Sequence, residues 1–258
     1  MISIFKRKNI KLVSDFAHIQ VDIHSHLIPG IDDGAENLET SLQLIRRLQD
    51  LGYKRLITTP HVMSDLYPNT KADILGGLAR LQNALREANI DMEIGAAAEY
   101  YMDEHFEAII NSEEILALPG DRVLVEMSFV TAPPNLYHNI FRLQTKGYKP
   151  ILAHPERYLF LKNDFKQYNR LKDYGCEFQL NALSLIGHYG KPVQEVAFKL
   201  LKNQLIDYLG TDLHHERHAD LLHEVLKDKK ALEQLSTYEF ANTALLEEPT
   251  SVKHKSEE

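Results

Sequence analysis

The stretch "VDIHSHLIPGIDDGA", residues 21–35, places two histidines one residue apart at the end of a short apolar run. Side chains two positions apart on a β-strand point to the same face, so His24 and His26 would lie side by side. Seven residues after the second histidine, Asp33 falls in an Asp-Asp-Gly turn. The stretch therefore predicts a strand that ends beside two imidazoles and a carboxylate, which are side chains that bind metal ions.

The rest of the chain alternates between short β-rich runs and segments with helical periodicity. Apolar side chains at helical spacing predict a helix over residues 37–51 that ends at Gly52, and the run "KRLITTPH" after it predicts a strand. Strand followed by helix recurs about seven times, which is typical of a parallel sheet. We expect an α/β fold, a distorted TIM-like (β/α)7 barrel, in preference to a doubly wound open sheet.

The composition narrows the class of protein. A net charge of −8 argues against a general nucleic-acid binder, and no stretch approaches the roughly 18 apolar residues of a membrane span. The single cysteine, Cys176, excludes an internal disulfide and suits a reducing, cytoplasmic location. We expect one barrel domain over residues 20–246, between an N-terminal arm, residues 1–19, and a charged, disordered tail, residues 247–258.

Ionisable side chains end most of the predicted strands. In chain order they are His24 and His26, His61, Glu99, Glu126, His154 with Arg157, and Asp212 with His214. Each alone has a structural interpretation, such as a hydrogen-bonded core histidine or a buried ion pair. Active sites of barrels, however, collect at the C-terminal ends of the strands. Carboxylates gathered there would repel one another without cations, so the pattern predicts a polynuclear metal site.

This set of motifs resembles the PHP (polymerase and histidinol phosphatase) superfamily. The blocks "DIHSHLIPGIDDGA", "TTPH", "AEYY", "VLVEMS", "AHPERY" and "GTDLHH" occur in the order and spacing of that superfamily. They match most closely the bacterial manganese-dependent protein-tyrosine phosphatases of capsule and exopolysaccharide operons, the CpsB/YwqE type. The resemblance extends over residues 20–225. It implies a distorted (β/α)7 barrel and a site with three divalent metal ions.

The resemblance also implies a role for each matching residue. One metal would be held by His24, His26, Glu99 and Asp212, a second by Glu99, Glu126 and His154, and a third by Asp33, His61 and His214. Glu99 would bridge the first two metals. Arg157 matches the phosphate-binding arginine, and Arg217 is the candidate for a second one, at a shorter spacing than in the relatives. Asp32 is interpreted as a turn former or as a residue that positions a ligand.

The implied reaction is the hydrolysis of a phosphomonoester, most simply phosphotyrosine on a protein such as a bacterial tyrosine kinase. Metal ions can clamp a phosphate and activate a water, and Arg157 can add a bidentate contact. His61 or His214 could protonate the leaving group. Manganese is the first candidate metal, although nitrogen and oxygen ligands also bind iron, zinc or magnesium. A histidinol-phosphatase-like or other small-molecule phosphoesterase is the alternative function.

Other chemistries fit the sequence less well. A cysteine-based tyrosine phosphatase needs a Cys-x5-Arg loop, but position 182, six residues after Cys176, is Ala182. A barrel amidohydrolase begins with His-x-His and would not need glutamates at the third and fourth strand ends. A non-catalytic binding module would lack ligands, and here the set is full. Five aromatic side chains, Tyr67, Tyr100, Tyr101, Phe129 and Tyr158, either line a groove for an aryl phosphate or pack at the barrel rim.

Overall fold

Parallel β-strands and α-helices alternate along the computed structural model, which describes residues 12–112, 115–162 and 164–247. The strands are β1 (Val21–Asp22), β2 (Arg55–Thr58), β3 (His61–Val62), β4 (Glu93–Ala96), β5 (Glu99–Tyr101), β6 (Arg122–Glu126), β7 (Lys149–Ala153), β8 (Glu177–Asn181) and β9 (Tyr208–Gly210). The helices are α1 (Leu38–Asp50), α2 (Lys71–Glu87), α3 (Glu104–Ser112), α4 (Leu136–Thr145), α5 (Leu159–Lys162), α6 (Lys166–Asp173), α7 (Lys191–Lys202), α8 (Glu216–Val225) and α9 (Lys229–Thr237). The predicted α/β fold with parallel strands is confirmed.

The strands form two sheets with the orders β1-β2-β4 and β3-β5-β6-β7-β8-β9. The chain passes from the first sheet to the second at two places. Thr59 and Pro60 lie between β2 and β3, and Ala97 and Ala98 lie between β4 and β5. Proline has no N–H and cannot donate to a sheet ladder. The chain still runs on in register, since the amide of Glu99 donates to the carbonyl of Pro60 at 3.1 Å.

The predicted distorted (β/α)7 barrel is not closed in this structure. Among the described residues, no ladder joins β9 to β1, and only an isolated parallel bridge between Ser25 and Leu213 follows the two strands. Beside it, the carboxylate of Asp22 accepts hydrogen bonds from the Thr211 amide at 2.9 Å and the Thr211 hydroxyl at 2.8 Å. A side chain here takes the place of a backbone carbonyl, so no continuous ladder forms. We call this junction between β1 and β9 the seam.

Local sequence signals explain the boundaries of the helices. The side chain of Asn37 accepts the amide of Thr40 and begins α1 one residue before Leu38, while Gly52 follows its end with a φ of +98°. Pro192 lies in the first turn of α7, where its missing N–H would have no partner in any case. These helices pack their apolar faces against the sheets and so leave the C-terminal ends of the strands free for polar residues.

The core has two parts. The larger contains the helix faces and the strand side chains that face them. The smaller joins inward-facing side chains of several strands, among them Val21, Ile57, Leu124 and Tyr208, with Leu245 near the end of the described chain. Asn242, beside Leu245, bonds to the backbone of Val21 and Leu209. This apolar plug supports the strands from below the ends that carry the predicted ligands.

The predicted terminal segments are only partly described. Residues 1–11 of the predicted arm and residues 248–258 of the predicted tail lie outside the described residues. Within residues 12–19, Phe16 and Ile19 are buried, and the ring of Phe16 stacks on Tyr53 at 5.5 Å. No helix among the described residues is both long enough and apolar enough to span a bilayer.

Candidate metal centre

The two histidines after β1 are fully buried, and each has one ring nitrogen fixed by a neighbour. Nδ1 of His24 lies 2.7 Å from Oε1 of Gln179, and Nδ1 of His26 lies 2.7 Å from Oδ2 of Asp32. The other ring nitrogen of each histidine, Nε2, has no hydrogen bond. A histidine that ligates a metal commonly has its second nitrogen held in this way, which sets the ring orientation and the tautomer.

A first group of donor atoms surrounds these free nitrogens. Nε2 of His24 lies 3.1 Å from Oε2 of Glu99 and 3.3 Å from Oδ1 of Asp212. Nε2 of His26 lies 3.5 and 3.6 Å from the same two oxygens. Two ligands of one ion, each about 2.0–2.2 Å from it, are separated by about 3.0–3.5 Å. Ligand atoms of His24, His26 and Asp212 lie within 4.8 Å of one another, which is close enough for one cation to contact all three.

A second group uses the other oxygen of Glu99. Its Oε1 lies 3.2 Å from Nε2 of His154, which also lies 3.5 Å from Oε1 of Glu126. All three side chains are buried. The two carboxylate oxygens of Glu99 therefore face different donor atoms, Oε2 towards His24 and Oε1 towards His154.

The third group is closer to solvent. Oδ1 of Asp33 lies 3.5 Å from Nε2 of His61 and 3.5 Å from Nε2 of His214. The Asp33 side chain is 52% exposed, in contrast to the buried ligands of the other groups. Nδ1 of His214 lies 2.9 Å from the carbonyl of Asp212, which holds its ring in place. The predicted ligands thus lie in one cluster, whose groups overlap, since His61 Nδ1 also approaches Glu99 at 3.2 Å. Their division among three ions stays a prediction.

The Asp-Asp-Gly turn is fitted closely to His26. The carboxylate of Asp32 accepts hydrogen bonds from the amides of Gly34 at 3.0 Å and His61 at 3.1 Å, in addition to its contact with the His26 ring. A Cβ atom at Gly34 would lie 2.2 Å from the carbonyl oxygen of His26, so only glycine fits this position. Asp32 therefore positions a predicted ligand, while Asp33 presents its own oxygen.

The pKa shifts show why this cluster suits a cation. Burial raises the pKa of Glu126 well above its usual range, and the adjacent Glu99 carboxylate raises it further. Burial lowers the pKa of His24, but Glu99 and Asp212 outweigh burial and raise this pKa to about 9. Burial and then Arg157 lower the pKa of His154 to about 4, which leaves a neutral imidazole. The raised pKa values of Glu126 and His24 reflect crowded carboxylates, and bound cations neutralise such carboxylates.

Several buried polar atoms without hydrogen-bond partners lie at the centre. They include Nε2 of His24, Nε2 of His26, Nδ1 of His61 and Oε2 of Glu99. Buried polar groups in proteins are normally hydrogen-bonded, so these atoms point to a missing partner. Nitrogen and carboxylate oxygen donors are those that Mn, Fe and Zn ions take, and the residues present therefore fit divalent metal ions.

Two of the predicted ligands have backbone conformations in the left-handed region. His154 has a φ of +34° and Asp212 a φ of +51°. This region disfavours residues with a Cβ, apart from a modest tolerance by Asn, Asp and His. Both residues directly follow a strand or lie two residues beyond one, where the turn of the chain directs their side chains into the cluster.

Arg157 lies at the edge of the centre and is held on three sides. Its Nη1 donates to Oδ2 of Asp212 at 3.0 Å. Its guanidinium lies between the rings of Phe129 and Tyr189, 4.5 and 4.3 Å from their centroids. Glu156 is not its partner, because that buried carboxylate accepts the Asn181 amide and the Ser184 hydroxyl. The guanidinium is thus fixed in orientation and lines the cavity over the centre.

That cavity has a volume of about 400 Å³ and opens above the three groups. Of the five aromatic residues singled out in the sequence, Tyr67 and Phe129 line it. Tyr100 and Tyr158 are instead buried in the core, and Tyr101 does not line the cavity. The groove expected from the sequence therefore involves two of the five side chains.

Arg217 does not line the cavity. It lies exposed in the first turn of α8, where its charge lowers the pKa values of His188 and His215 after the larger effect of burial. The proposed phosphate contact of Arg217 stays a prediction that these contacts do not support.

Sequence reasoning missed three residues that support the centre. Gln179 holds the His24 ring, Asn181 donates to Oδ2 of Asp212 at 2.8 Å, and the hydroxyl of Tyr189 lies 2.9 Å from Nδ2 of Asn181. The signal for the first two was their spacing, since polar residues two apart in "CEFQLNA" share one face of β8.

Comparison with known proteins places this geometry in a family. The family model described as "Capsular polysaccharide synthesis, CpsB/CapC" matches residues 20–251. The chain belongs to the CpsB/CapC family. It is 28% identical to the tyrosine-protein phosphatase YwqE of Bacillus subtilis, over 76% of this chain and 77% of that protein. It is 26% identical to the tyrosine-protein phosphatase CpsB of Streptococcus pneumoniae, over 76% of this chain and 83% of that protein.

Solved structures agree with this placement of the chain in the CpsB/CapC family. A structure from a study of YwqE of Bacillus subtilis and CpsB of Streptococcus pneumoniae, described as "unique metal-dependent tyrosine phosphatases", is similar with a TM-score of 0.74 at 26% identity. The likeness covers 83% of this chain and 89% of that one. An amidohydrolase from Mycoplasma synoviae shares the fold, with a TM-score of 0.52 at 14% identity over 84% of this chain and 86% of that one.

Proposed function

We propose that this CpsB/CapC protein is a metal-dependent protein-tyrosine phosphatase that hydrolyses phosphotyrosine on proteins. The observation that carries the proposal is the position of Arg157, which is held beside the cluster of metal-binding side chains in the lining of one cavity. A cation cluster with a guanidinium beside it is complementary to a phosphate dianion. The relatives named as tyrosine phosphatases support the choice of substrate.

The proposed metal site holds three divalent ions, with manganese the first candidate. His24, His26, Glu99 and Asp212 would hold one ion, Glu99, Glu126 and His154 a second, and Asp33, His61 and His214 a third. Bound ions would neutralise phosphate oxygens and lower the pKa of a water, so that hydroxide becomes available near neutral pH. The different exposure of Asp33 and Glu99 suggests that the third ion is the most easily exchanged.

The chain's own residues then have separate tasks. Arg157 binds a phosphate oxygen, and its fixed orientation means that little side-chain entropy is lost on binding. Gln179, Asp32 and the carbonyl of Asp212 keep three histidine rings in the orientation that ligation needs. A tyrosinate leaves with a pKa of about 10 and needs little protonation, which His61 or His214 could supply.

The burial of Cys176 and its position away from the cavity exclude a cysteine nucleophile. Cys176 is buried, and burial raises the pKa of its thiol to about 12. A thiol with such a pKa is not a thiolate at neutral pH and does not attack phosphorus. It is not among the residues that line the cavity.

The proposed substrate is a phosphotyrosine of a bacterial tyrosine kinase in capsule or exopolysaccharide synthesis, and the proposed location is the cytoplasm. The test is hydrolysis of a phosphotyrosine peptide and of histidinol phosphate by protein stripped of metal and then reloaded with Mn, Fe, Zn or Mg. We expect activity on the peptide that is lost on stripping and restored by metal. Activity that survives stripping, or that favours histidinol phosphate, would contradict the proposal.

A further inference from the structure

The cavity above the metal centre changes in chemistry from its floor to its mouth. Its most buried lining residues are ionisable, as Glu99 and His154 are 1% exposed and Asp212 is 3% exposed. Two large apolar side chains that line the same cavity are exposed to solvent. They are Leu66, with 66% of its surface exposed, and Phe129, with 42%. The cavity therefore has a charged floor and an apolar rim, and the rim consists of Leu66 and Phe129.

The loop that carries Leu66 is held in place without help from the leucine side chain. Met63 and Tyr67 exchange two backbone hydrogen bonds of 2.9 and 3.0 Å. The amide and hydroxyl of Ser64 both donate to Asp103, and the ring of Tyr67 stacks on His61 at 5.5 Å. Leu66 is thus presented at the mouth of the cavity by a braced loop, and its side chain contributes little to the core.

Phe129 reaches the rim from a different loop, after β6. Its ring stacks on Tyr158 at 5.5 Å and lies over the guanidinium of Arg157 at 4.5 Å. A phosphate oxygen bound by Arg157 would therefore bring the adjoining part of the substrate next to the Phe129 ring. A single exposed leucine is ordinary on a protein surface, but two apolar groups on the rim of one charged cavity match a substrate with a charged head and an apolar body.

We propose that the rim of Leu66 and Phe129 determines the preference for aryl over alkyl phosphomonoesters. The inference rests on the proposed function and deepens it. In phosphotyrosine a flat apolar ring separates the phosphate from the peptide backbone, and the rim removes this ring from water. Phosphoserine has a single methylene at that position, so it gains little apolar contact from the same two side chains.

The test compares Leu66→Ala, the conservative variant Leu66→Met and the control Leu38→Ala, which removes a leucine that is 39% exposed at the start of α1, outside the cavity. Substrates are two peptides of one sequence, with phosphotyrosine or phosphoserine. For Leu66→Ala we expect kcat/KM to fall about 5- to 20-fold on phosphotyrosine and less than about twofold on phosphoserine. Leu66→Met and Leu38→Ala should stay within about twofold of wild type on both.

A binding measurement separates this inference from the proposed function. Calorimetry with the non-hydrolysable phosphonate analogues of the two peptides should show the same loss of affinity for the aryl analogue alone. Equal losses on aryl and alkyl substrates, no loss at all, or failure to bind either analogue would overturn the role of the rim. If wild type binds the aryl phosphonate in a Leu66-dependent way but hydrolyses neither peptide, the rim stands and the phosphatase function fails.

Discussion

Two sets of buried polar side chains lie at the seam, and they use their hydrogen-bonding atoms differently. In the first set, Asn242 accepts the Leu209 amide at 2.9 Å and donates to the carbonyls of Val21 and Leu209 at 2.9 and 2.7 Å. Asp22 likewise accepts both the amide and the hydroxyl of Thr211. These residues complete the backbone pairing where the strands do not, and their polar atoms are satisfied within the chain.

The second set lies only two to four residues after Asp22, beyond the end of β1. His24 and His26 each have one satisfied nitrogen and one that faces carboxylate oxygens without a hydrogen bond. Both sets are equally buried, so burial does not distinguish a structural polar group from a ligand. The distinction lies in the unsatisfied atom, because folding alone does not favour leaving one in the interior.

The largest effect should follow from a residue that serves two groups of the second set. Glu99→Ala removes both oxygens that lie between the first and second groups, so we expect loss of most bound metal and at least about a 1000-fold fall in kcat/KM. Asp33→Ala removes one exposed ligand and should cost at least tenfold less. Elemental analysis and turnover on the same samples measure both. A reversed order would reject the bridging position of Glu99.

Arg157 shares features of both sets, because it donates a hydrogen bond to Asp212 and also lines the cavity. Arg157→Ala should lower kcat/KM for aryl phosphates by about 30- to 1000-fold, the value of a charge-assisted contact in a transition state. Metal content should hold, because Oδ2 of Asp212 retains the hydrogen bond from Asn181. Arg47→Ala is the control, as Arg47 forms an exposed pair with Asp220 and should change activity less than twofold. Parallel loss of metal would place Arg157 among the structural residues.

For the first set we expect a loss of stability without a loss of activity or metal. Asn242→Ala leaves the buried groups of Val21 and Leu209 without partners, so the free energy of unfolding should fall by about 2–4 kcal/mol. Because no atom of Asn242 faces the centre, kcat and metal content at 25 °C should be unchanged. Denaturant unfolding, together with metal analysis, checks this. A variant as stable as wild type, or one that loses metal while folded, would contradict the purely structural role of Asn242.

The smallest effect is expected at Cys176. Its thiol is buried away from the cavity, and a pKa of about 12 keeps it protonated at every pH at which the protein would be assayed. Cys176→Ser should therefore retain activity within about twofold, with its metals bound. If turnover disappears in a folded, metal-loaded sample, hydrolysis by a metal-activated water is wrong for this chain.

The parallel α/β fold could be predicted because strand and helix signals are local and alternate regularly. The gathering of the predicted ligands in one place could be predicted because most of them lie in or shortly after a strand, and parallel strands bring their C-terminal ends together. The predicted barrel is not closed by a continuous ladder, for a physical reason that the sequence pattern does not contain. At the seam a side chain, Asp22, replaces a backbone carbonyl, and at Pro60 a strand loses a donor.

Residues that act through others were the hardest to predict. Gln179 and Asn181 are positioned by contacts 155 and 31 residues away along the chain, which no local periodicity records. The aromatic side chains show the same limit. Tyr67 and Tyr100 both come shortly after a predicted ligand in the sequence, yet Tyr67 lines the cavity and Tyr100 is buried with its hydroxyl accepting the Leu116 amide. Tertiary packing decides between these outcomes.

The left-handed backbone at His154 and Asp212 implies a trade-off between the stability of the fold and the function of the site. Each such residue costs on the order of 1 kcal/mol that glycine would not. Glycine at either position would relax the main chain and remove a buried ionisable group, while ending any ligation there. A chain selected for thermal resistance alone would therefore drift away from the present residues at these two positions. At these two positions an unfavourable backbone conformation coincides with a predicted metal ligand.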